Sequence, residues 1–522
     1  MSTRLVVIGD ALLDRDLSGT VDRVCPDAPV PVVDEVVERL RPGGAALAAC
    51  LAAAAGDDVE VVLVTSLGHD LAAGTVLELL GSAGVEVEVL RRRGATLEKT
   101  RVRAGGQSLL RFDRGRRSDD IEPAEHRVVE MVAGADAVLV ADYGAGVATV
   151  AELRQAMTSA RRPRRPLVWD PHPRGADAVS GAWLITPNEP EVEALDVLVA
   201  AGIGARGSQR SGRLAHAAAR GRRLAQRWQA RSVAVTLGAD GALLVEGDQA
   251  PLVVPADPIT GDACGAGDCF AGAAAIALAR GAVPSEAVTE AVAAAGRFIT
   301  AGGAAGWSSS RTPARQPPTP PHAQPARQPA PPAHSALRPP SLRQESPLSQ
   351  LHATVLGAGA RLAMPGAVGL DDALSVVRGS RKVGGTVVAT GGCFDLLHAG
   401  HVAVLSQARR LGDCLVVCLN SDASVRRLKG PGRPLQSAED RAAVLASLAC
   451  VDAVVTFDED TPAEVLDRLR PDLFAKGGDY ALGTLPEEEV LAAWGAQVVL
   501  LPYLPGRSTS ALVEEAGRQA GC

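Results

Sequence analysis

The sequence predicts an α/β protein built from two domains, and three observations carry this prediction. The chain has 522 residues, which is more than one hydrophobic core usually serves. Short apolar runs that end in turn residues alternate with Ala- and Leu-rich helical stretches, as in parallel sheets covered by helices. A Pro-, Ala-, Arg- and Gln-rich segment without apolar periodicity separates two such regions. We expect a first domain at 1–307, a linker with a lead-in helix at 308–381, and a smaller second domain at 382–522.

The apolar runs predict the strands in chain order. They are RLVVIGD, VEVVLVTSLG, AVLVADYG, PLVWDP, WLITPNE and SVAVTLGADG in the first region, and TVVATGG, CLVVCLNSD, VDAVVTF, DLFAKGG and QVVLLPY in the second. Because parallel sheets carry their sites at the carboxyl ends of the strands, the turn residues at these ends are the candidates for function. The separating segment, 308 to about 350, cannot bury enough surface to offset its ordering entropy, so we expect an extended tether.

The composition excludes several classes of protein. A net charge of −7 and only 3% aromatic residues disfavour a nucleic-acid binder, which needs a basic surface or stacking rings. The nine cysteines form no CxxC pair, which fits free thiols in a reducing compartment better than disulfides or zinc. The longest apolar run, 45–56, is too short to cross a bilayer and predicts a buried helix. With no cleavable signal pattern at its start, we expect a cytoplasmic protein without a membrane partner.

A glycine-rich turn opens a predicted helix within residues 260–281. The small residues Gly265, Ala266 and Gly267 let backbone N–H groups approach an anion, and the helix dipole adds to the attraction. Asp268 follows at once, and a carboxylate beside a phosphate site is suited to accept the proton of an attacking hydroxyl. The alternative is an ordinary Gly-rich helix cap followed by an Asp, and the motif alone does not decide between them.

Residues 4 to about 307 resemble the ribokinase-like (PfkB) family of sugar kinases, whose C-terminal signature DACGAGD matches. The resemblance implies that Asp268 is the base that deprotonates the acceptor hydroxyl, and that the backbone of the glycine turn forms an anion hole for the transferred phosphoryl group. NEPE has the family's NxxE spacing, which implies that Asn188 and Glu191 organise Mg²⁺ and the phosphates of ATP, largely through water.

The same resemblance implies contacts to the sugar and to the nucleotide. The motifs IGDALLD and RPGGAAL are expected to supply the sugar contacts, which are Asp10, Asp14, Gly43 and Gly44. The motif TLGADG matches the family's nucleotide-binding turn, and its expected contacts are Thr236, Gly238 and Gly241.

In the second region, FDLLHAGH follows the first strand and opens the first helix. His398 and His401 are three apart and therefore project from one helix face. Imidazole N–H groups at this place would stabilise charge growing on an α-phosphate and on departing pyrophosphate. A zinc site would need further Cys or His ligands, and two packed core histidines are the remaining alternative.

The spacing of the two histidines resembles the HxGH signature of the nucleotidylyltransferase superfamily, which implies a Rossmann-like fold for 382–522. Later motifs support this resemblance in the expected order and imply nucleotide or phosphate contacts. The implied contacts are Gly392, Phe394, Asp395, Lys429, Arg433, Lys476, Gly477, Ser508, Thr509 and Ser510. One departure from the pattern is Gly391, a position at which the family usually has Asn.

Together the two halves resemble the bifunctional heptose-phosphate kinase/adenylyltransferases of ADP-heptose synthesis. The motifs DRVCPDAPVPVV, KTRV and LLRFDRG carry the likeness in the first half, and LNSDASVRRLKG and PDLFAKGGDY carry it in the second. The resemblance implies phosphorylation of D-glycero-D-manno-heptose 7-phosphate at C1 by ATP, and adenylyl transfer from ATP to heptose 1-phosphate with release of pyrophosphate. It also implies a separate phosphatase that removes the 7-phosphate between the steps, and we expect a homodimer.

Several positions depart from the pattern of the kinase half. Leu47 replaces the usual Asn, Ala145 replaces a Lys, and WDPHPRG at 169–175 lengthens a tighter Asp-Pro-Lys-Gly. His172 or Arg174 is a candidate for the missing positive charge. These departures keep two alternatives open. One is a kinase for another sugar fused to a transferase for another nucleotide, and the other is a degenerate kinase domain that only binds ligand or mediates assembly.

Overall fold

The computed structural model describes residues 2–105, 107–115, 121–158, 165–196, 209–306, 367–477 and 486–502. Of the predicted linker, only the last part, which contains the lead-in helix, falls within these ranges; the Pro-rich tether lies outside them. Ser508, Thr509 and Ser510 also lie outside the described residues.

The six apolar runs of the first half all form strands, and further strands that these runs did not predict lie between them. The strands are β1 Thr3–Gly9, β2 Ala11–Val24, β3 Pro31–Gly44, β4 Val59–Leu67, β5 Glu86–Arg91, β6 Leu97–Ala104, β7 Gln107–Arg114, β8 Ala137–Ala141, β9 Leu167–Asp170, β10 Leu184–Ile185, β11 Ser232–Thr236, β12 Ala242–Glu246 and β13 Leu252–Val254. The helices are α1 Ala45–Ala53, α2 Leu71–Ser82, α3 His126–Gly134, α4 Ala151–Thr158, α5 Glu189–Asp196, α6 Gln209–Trp228, α7 Ala266–Ala279, α8 Pro284–Thr300 and α9 Gly303–Gly306.

The second half shows the same alternation. Its strands are β14 Ala367–Val368, β15 Val387–Gly392, β16 Cys414–Asn420, β17 Ala453–Phe457, β18 Leu473–Gly477 and β19 Gln497–Leu501. Its helices are α10 Leu370–Lys382, α11 Ala399–Arg410, α12 Asp422–Lys429, α13 Ala438–Ala446, α14 Ala463–Leu469 and α15 Glu487–Ala492. The mixed α/β class predicted from the apolar runs is confirmed.

The large sheet is parallel over most of its width. In the first half its strand order is β5-β4-β1-β8-β9-β10-β11-β12-β13, and only β12 and β13 pair in antiparallel fashion with their preceding neighbours. In the second half the order is β14-β17-β16-β15-β18-β19, with every pairing parallel. Central strands such as β8 and β16 are buried at every residue, which explains their unbroken apolar sequences. The strand ends that carry the predicted site residues therefore lie along the carboxyl edges of the two sheet portions.

Besides the predicted tether, a direct contact joins the two halves. Strand β13 pairs in parallel with β19, with Leu252 opposite Leu500. The Leu500 N–H donates to the carbonyl of Pro251 at 3.0 Å. The two sheet portions thus form one sheet of fifteen strands in the part of the chain that the structure describes.

A second, smaller sheet has the strand order β3-β2-β6-β7. The start of β2 is buried beside the main sheet, whereas β7 is exposed along its whole length. This sheet brings charged side chains of β6 and β7 toward the end of β1, where the predicted sugar contacts lie.

Candidate active sites

Asp268 lies in the first turn of α7 and is buried, with 7% of its surface exposed. The Tyr143 hydroxyl donates a hydrogen bond to its Oδ1 at 2.7 Å. Burial raises the pKa of Asp268 to about 7, although the Tyr143 hydrogen bond and the charge of Lys99 both act to lower it. A carboxyl group that titrates near neutrality can accept a proton from a hydroxyl, as a general base must.

Two further acids lie near the Tyr143–Asp268 pair. Burial, together with the charges of Glu191 and Asp268, raises the pKa of Asp170 well above its usual range. Burial also raises the pKa of Glu191. The Thr186 hydroxyl donates a hydrogen bond to Asp170 Oδ1 at 2.8 Å. A raised pKa means that the ionised form of each acid is disfavoured in this surrounding. A cation beside the acids would stabilise that ionised form, so the arrangement favours cation binding.

The glycine turn before α7 is crowded at Gly265 and open at Gly267. Gly265 caps the helix with a φ of +82°, and a Cβ there would lie 2.7 Å from Leu47 Cδ2. A Cβ on Gly267 would meet no atom within 4 Å, so open space lies before this residue. The N–H of Ala266 donates to the carbonyl of Ala263 at 3.0 Å and is therefore not free for an anion in this conformation.

Asp10 has a structural role that the sequence did not indicate. Its carboxylate accepts hydrogen bonds from the N–H groups of Tyr143, Ala145 and Val147, at 3.1, 2.8 and 3.0 Å. These bonds hold the turn that carries Tyr143. The expected bond from Asp10 to a sugar hydroxyl would have to share oxygens that already serve the backbone.

Asp14 and the double glycine meet at the start of the smaller sheet. A Cβ on Gly43 would lie 2.5 Å from Asp14 Oδ2, so the absence of a side chain at Gly43 leaves room for the carboxylate. Gly44 has a φ of +59° and precedes α1. Arg101 of β6 donates to Asp14 Oδ1 at 2.8 Å, and both side chains are mostly buried.

Basic side chains gather beside this acid. Lys99 is half-buried, with its Nζ 5.2 Å from the centre of the Tyr143 ring. Burial lowers the pKa of Lys99, and the nearby Arg111 and Arg101 lower it further. Burial, Arg174 and Lys99 likewise lower the pKa of His172. Mutual repulsion of this kind favours an anionic ligand.

Asn188 and Glu191 form a reciprocal pair at the start of α5. The Asn188 N–H donates to Glu191 Oε2, and the Glu191 N–H donates to Asn188 Oδ1, both at 2.9 Å. This is the geometry of a capping box, and it fixes the Glu191 carboxylate next to the end of β11. One oxygen of each side chain is occupied by the helix start.

The predicted nucleotide turn follows β11. Thr236 ends that strand, and its N–H donates to the carbonyl of Pro187 at 2.9 Å. Gly238 and Gly241 have φ values of +63° and +95°, and a Cβ on Gly241 would collide with the Val254 carbonyl. A cavity of about 440 Å³ lies beside this turn and continues to Thr260, shortly before the glycine turn.

The two histidines of the second half stack on each other. Their ring centroids are 3.9 Å apart, with 24° between the ring planes. His398 is the N-cap of α11, and its Nδ1 accepts the N–H of Gly400 at 3.1 Å, so its neutral form carries the proton on Nε2. Burial and the neighbouring His398 lower the pKa of His401 to about 4. His401 is therefore neutral near pH 7.

The turn between β15 and the histidines is tight. Phe394 has a φ of +45°, and a Cβ on Gly392 would approach its ring to 3.0 Å. A Cβ on Gly391, by contrast, would approach no atom closer than 3.5 Å, so the replacement of Asn by Gly at this position removes no steric conflict. The Phe394 ring lies 5.2 Å from the His401 ring.

Asp395 and Arg433 pair with each other. Arg433 donates to Asp395 Oδ2 at 2.6 Å, and the N–H groups of Leu435 and Gln436 donate to Oδ1. Burial acts to raise the pKa of Asp395, but these hydrogen bonds outweigh it and hold the pKa below its usual range. The pair anchors the loop after α12, so Arg433 already carries a counter-charge before any phosphate binds.

Lys476 is paired in the same way. Its Nζ lies 3.3 Å from both carboxylate oxygens of Glu487, which is buried. Gly477 ends β18, and a Cβ there would approach Val404 of α11 to 2.7 Å. Lys429, at the end of α12, is exposed and close enough to His401 to lower its pKa. Among the described residues, Lys429 is therefore a cation that lies near His401.

Arg441 of α13 is a site residue that the sequence reasoning missed. Its side chain is fully buried and donates to the carbonyls of Cys393 and Asn420, at 2.5 and 2.9 Å. It also pairs with Asp422 at 2.7 Å. It thus ties the ends of β15 and β16 to the start of α12.

Comparisons with known proteins match two separate parts of the chain. The model of the pfkB family of carbohydrate kinases matches residues 2–311, and the cytidylyltransferase-like model matches residues 389–501. The bifunctional protein HldE of Streptomyces coelicolor is 46% identical over 99% of this chain and 97% of its own. Its counterpart in Syntrophotalea carbinolica is 36% identical over 98% of this chain and 95% of its own. The chain belongs to the HldE family.

As an HldE family member, the chain is a bifunctional enzyme with a carbohydrate kinase half and a nucleotidyltransferase half. A solved ribokinase from Arabidopsis thaliana, complexed with ribose and ATP, is 22% identical and covers 59% of this chain and 96% of its own, with a TM-score of 0.44. Within the described residues, no helix combines the length and the apolar character needed to cross a membrane.

Three further residues of the kinase half escaped the sequence reasoning. Tyr143 lies two residues after the end of β8, Asp170 is the last residue of β9, and Lys99 lies on β6. Their positions at the carboxyl ends of buried parallel strands were a usable signal for Tyr143 and Asp170. Lys99 carried no such signal, because its approach to Tyr143 depends on how the smaller sheet folds over the larger one.

Proposed function

We propose that this HldE family member catalyses two steps of ADP-heptose synthesis. The kinase half transfers the γ-phosphoryl group of ATP to the C1 hydroxyl of D-glycero-D-manno-heptose 7-phosphate. The transferase half joins AMP from ATP to heptose 1-phosphate and releases pyrophosphate. The observation that carries the kinase proposal is the buried Asp268, with a pKa of about 7, directly after a glycine turn that opens onto free space.

In the kinase step, Asp268 accepts the proton of the C1 hydroxyl as that oxygen attacks the γ-phosphorus. Tyr143 orients the Asp268 carboxylate through its hydrogen bond. The N–H of Gly267 and the positive end of the α7 dipole face the transferred group, with Gly265 allowing the turn that places them. The bond between the γ-phosphorus and the bridging oxygen of ATP breaks as ADP leaves with its electrons, and no covalent enzyme intermediate is needed.

The basic side chains near Asp14 support a phosphorylated sugar. Lys99, Arg101 and Arg111 lie together on β6 and β7, and the charges of the two arginines add to the effect of burial in lowering the pKa of Lys99. Arg101 and Arg111 already pair with Asp14 and Asp113, whereas Lys99 contacts the Tyr143 ring. We infer that Lys99 contributes the charge that an incoming sugar phosphate neutralises, in place of the Lys that Ala145 replaces.

The donor set in the kinase half fits Mg²⁺. Among the described residues no group of three or more His, Cys, Asp or Glu side chains could hold a metal by itself. Mg²⁺ usually takes one or two carboxylates, waters and substrate phosphates, and Glu191 and Asp170 are partly buried acids with raised pKa values. Asn188 and Glu191 would hold the ion largely through water, and the ion would neutralise charge on the phosphates.

In the transferase step, the sugar phosphate oxygen attacks the α-phosphorus of ATP. His398 and the neutral His401 donate N–H groups toward the phosphates, and Lys429 adds a positive charge beside them. The departing pyrophosphate carries away the electrons of the broken bond. Lys476 and Arg433 shape the site through their pairs with Glu487 and Asp395, while Ser508, Thr509 and Ser510 stay predicted phosphate contacts.

The chemistry of the two steps implies an intermediate dephosphorylation. The first product carries phosphates at C1 and C7, whereas the second step uses a sugar with the C1 phosphate alone. A separate phosphatase must therefore remove the 7-phosphate. Both steps consume ATP, so we expect the enzyme to act in the cytoplasm.

We also propose a homodimer that forms through the smaller sheet. Several large apolar side chains on this sheet, and one in the turn between β2 and β3, are exposed, and an exposed apolar patch favours association. They are Val24, Val30, Val36, Val37, Leu109, Leu110 and Phe112. A second copy is the expected partner, and sedimentation of Leu110→Lys as a monomer beside a dimeric wild type would support this surface.

The proposal is tested by incubating the full chain with heptose 7-phosphate, ATP and Mg²⁺ and measuring the masses of the products by mass spectrometry. The expected product is the 1,7-bisphosphate with one equivalent of ADP, and Asp268→Asn should lose this reaction. With heptose 1-phosphate the expected products are ADP-heptose and pyrophosphate. An Asp268→Asn protein that phosphorylates at the wild-type rate would show that Asp268 is not the base.

Leu47 and Ala145 favour one rival function, a kinase for a different sugar. Leu47 is buried against Gly265, and the N–H of Ala145 serves Asp10, so neither supplies a polar group to the sugar. A panel of sugar phosphates and nucleoside triphosphates decides between the two. Clear preference for a sugar other than heptose would overturn the proposed substrate and leave the kinase chemistry in place.

A further inference from the structure

The cavity beside the kinase nucleotide turn has walls from both halves of the chain. Leu237 and Ala239 of the turn form one side, and Pro255 and Ile259 form another. The remaining wall includes Arg410 and Leu411, which belong to the transferase half. The cavity measures about 440 Å³ and falls within the size range of small-molecule sites.

The position of this cavity suits the base of ATP. Its wall reaches Thr260, five residues before Gly265, where the transferred phosphoryl group is proposed to lie. Apolar side chains predominate around it, and a purine ring binds best between such surfaces. A nucleotide with its γ-phosphate at the glycine turn therefore directs its base toward this cavity.

Direct contacts hold the transferase wall in place. Arg410 Nη1 lies 2.7 Å from Asp257 Oδ1, and Asp257 belongs to the segment between β13 and the glycine turn. Leu411 is buried and belongs to the same hydrophobic cluster as Leu214 and Leu237 of the kinase half. The pairing of β13 with β19 fixes the neighbouring backbone.

The helix that supplies this wall also carries the transferase histidines. His398 caps the start of α11 and Arg410 is its last residue. A helix of this length spans about 18 Å, at 1.5 Å per residue. One rigid element thus contributes to a nucleotide site at each of its ends.

We propose that the transferase half completes the ATP site of the kinase half, with Arg410 and Leu411 as positioning residues for the nucleotide base. This inference rests on the proposed kinase function. Because the two residues contact the base and not the reacting phosphate, their loss raises the KM for ATP in the kinase step and leaves kcat nearly unchanged.

The two half-reactions can be followed separately in the full chain, since the kinase step releases ADP and the transferase step releases pyrophosphate. Arg410→Ala should raise the KM for ATP in ADP release about three- to tenfold, the size expected when a partly exposed pocket wall is lost. Pyrophosphate release should keep its wild-type KM and kcat, because Arg410 lies at the far end of α11. The charge exchange Asp257→Arg with Arg410→Asp should recover part of the loss.

Arg280→Ala is the matched control. Arg280 forms an ion pair with Asp58 and is about as exposed as Arg410, but both partners belong to the kinase half and lie away from this cavity. Its KM for ATP should stay at the wild-type value. An Arg410→Ala enzyme with an unchanged KM, or with a fall in kcat alone, would overturn the inference.

A separate measurement distinguishes this inference from the substrate proposal. If the wild-type enzyme releases no ADP with heptose 7-phosphate, the substrate proposal fails. The affinity for ADP in the absence of sugar then decides the inference, and Arg410→Ala should weaken it by a similar factor. Equal affinities for ADP in the two proteins would contradict the shared pocket.

Discussion

The hydroxyl of Tyr143 donates a hydrogen bond of 2.7 Å to the carboxylate of Asp268, although 125 residues separate them in the chain. The bond favours the ionised form of Asp268 and so opposes the effect of burial on its pKa. Tyr143 keeps its proton, because burial and the charge of Asp268 raise its own pKa. The phenol is therefore a permanent donor to the proposed base.

Tyr143→Phe removes this donor and should raise the pKa of Asp268 above its present value of about 7. The base acts when deprotonated, so kinase activity rises with pH through this pKa, and the rise should move to higher pH in the variant. At pH 7 the variant should be slower than wild type, and at pH 9 it should approach the wild-type rate. The check is kcat/KM for ADP release against pH, and identical profiles for the two proteins would contradict the role of Tyr143.

Two glycines of the same turn should respond differently to alanine. Gly265→Ala places a Cβ at a φ of +82° and 2.7 Å from Leu47, so we expect a loss of about 1–2 kcal/mol of stability from the backbone alone, and loss of kinase activity. Gly267→Ala meets no protein atom and should fold normally, but its methyl group enters the space proposed for the phosphoryl group. Thermal unfolding and ADP release measure the two effects. A fully active Gly267→Ala enzyme would show that the phosphoryl group lies elsewhere.

The strand-end residues of both halves were predictable because apolar runs and turn residues mark the carboxyl edge of a parallel sheet. The use of each residue was not predictable. Asp10 and Asp268 are both acids beside small residues, yet Asp10 serves three backbone N–H groups whereas Asp268 meets a phenol. The pairing of Leu252 with Leu500 was not predictable either. The sequence of an edge strand does not show whether that strand pairs with a strand of the other half.

His401 should act as a neutral group in the transferase step. Burial and His398 lower its pKa to about 4, so it carries a charge only below that pH. The rate of pyrophosphate release should therefore show no inflection from His401 between pH 5.5 and 8, a range set about one unit or more above that pKa. His401→Asn keeps a neutral N–H donor and should retain more activity than His401→Ala. A rate that falls tenfold per pH unit across this range in wild type, and not in His401→Asn, would show that charged His401 matters.

Arg441 tests whether a buried cation positions the transferase turn. Arg441→Met leaves the carbonyls of Cys393 and Asn420 and the partly exposed carboxylate of Asp422 without their donor, and a buried acceptor left unsatisfied costs about 1–3 kcal/mol. Arg427→Met is the matched control, because Arg427 pairs with Asp460 on the exposed side of the same region and should change stability by less than about 1 kcal/mol. Urea denaturation measures the free energies of unfolding. The rate of pyrophosphate release by the folded fraction reports whether the transferase turn keeps its position. Equal losses of stability in the two variants would mean that Arg441 does not hold the strand ends together, because the cost arises only from burial and from the bonds to β15 and β16.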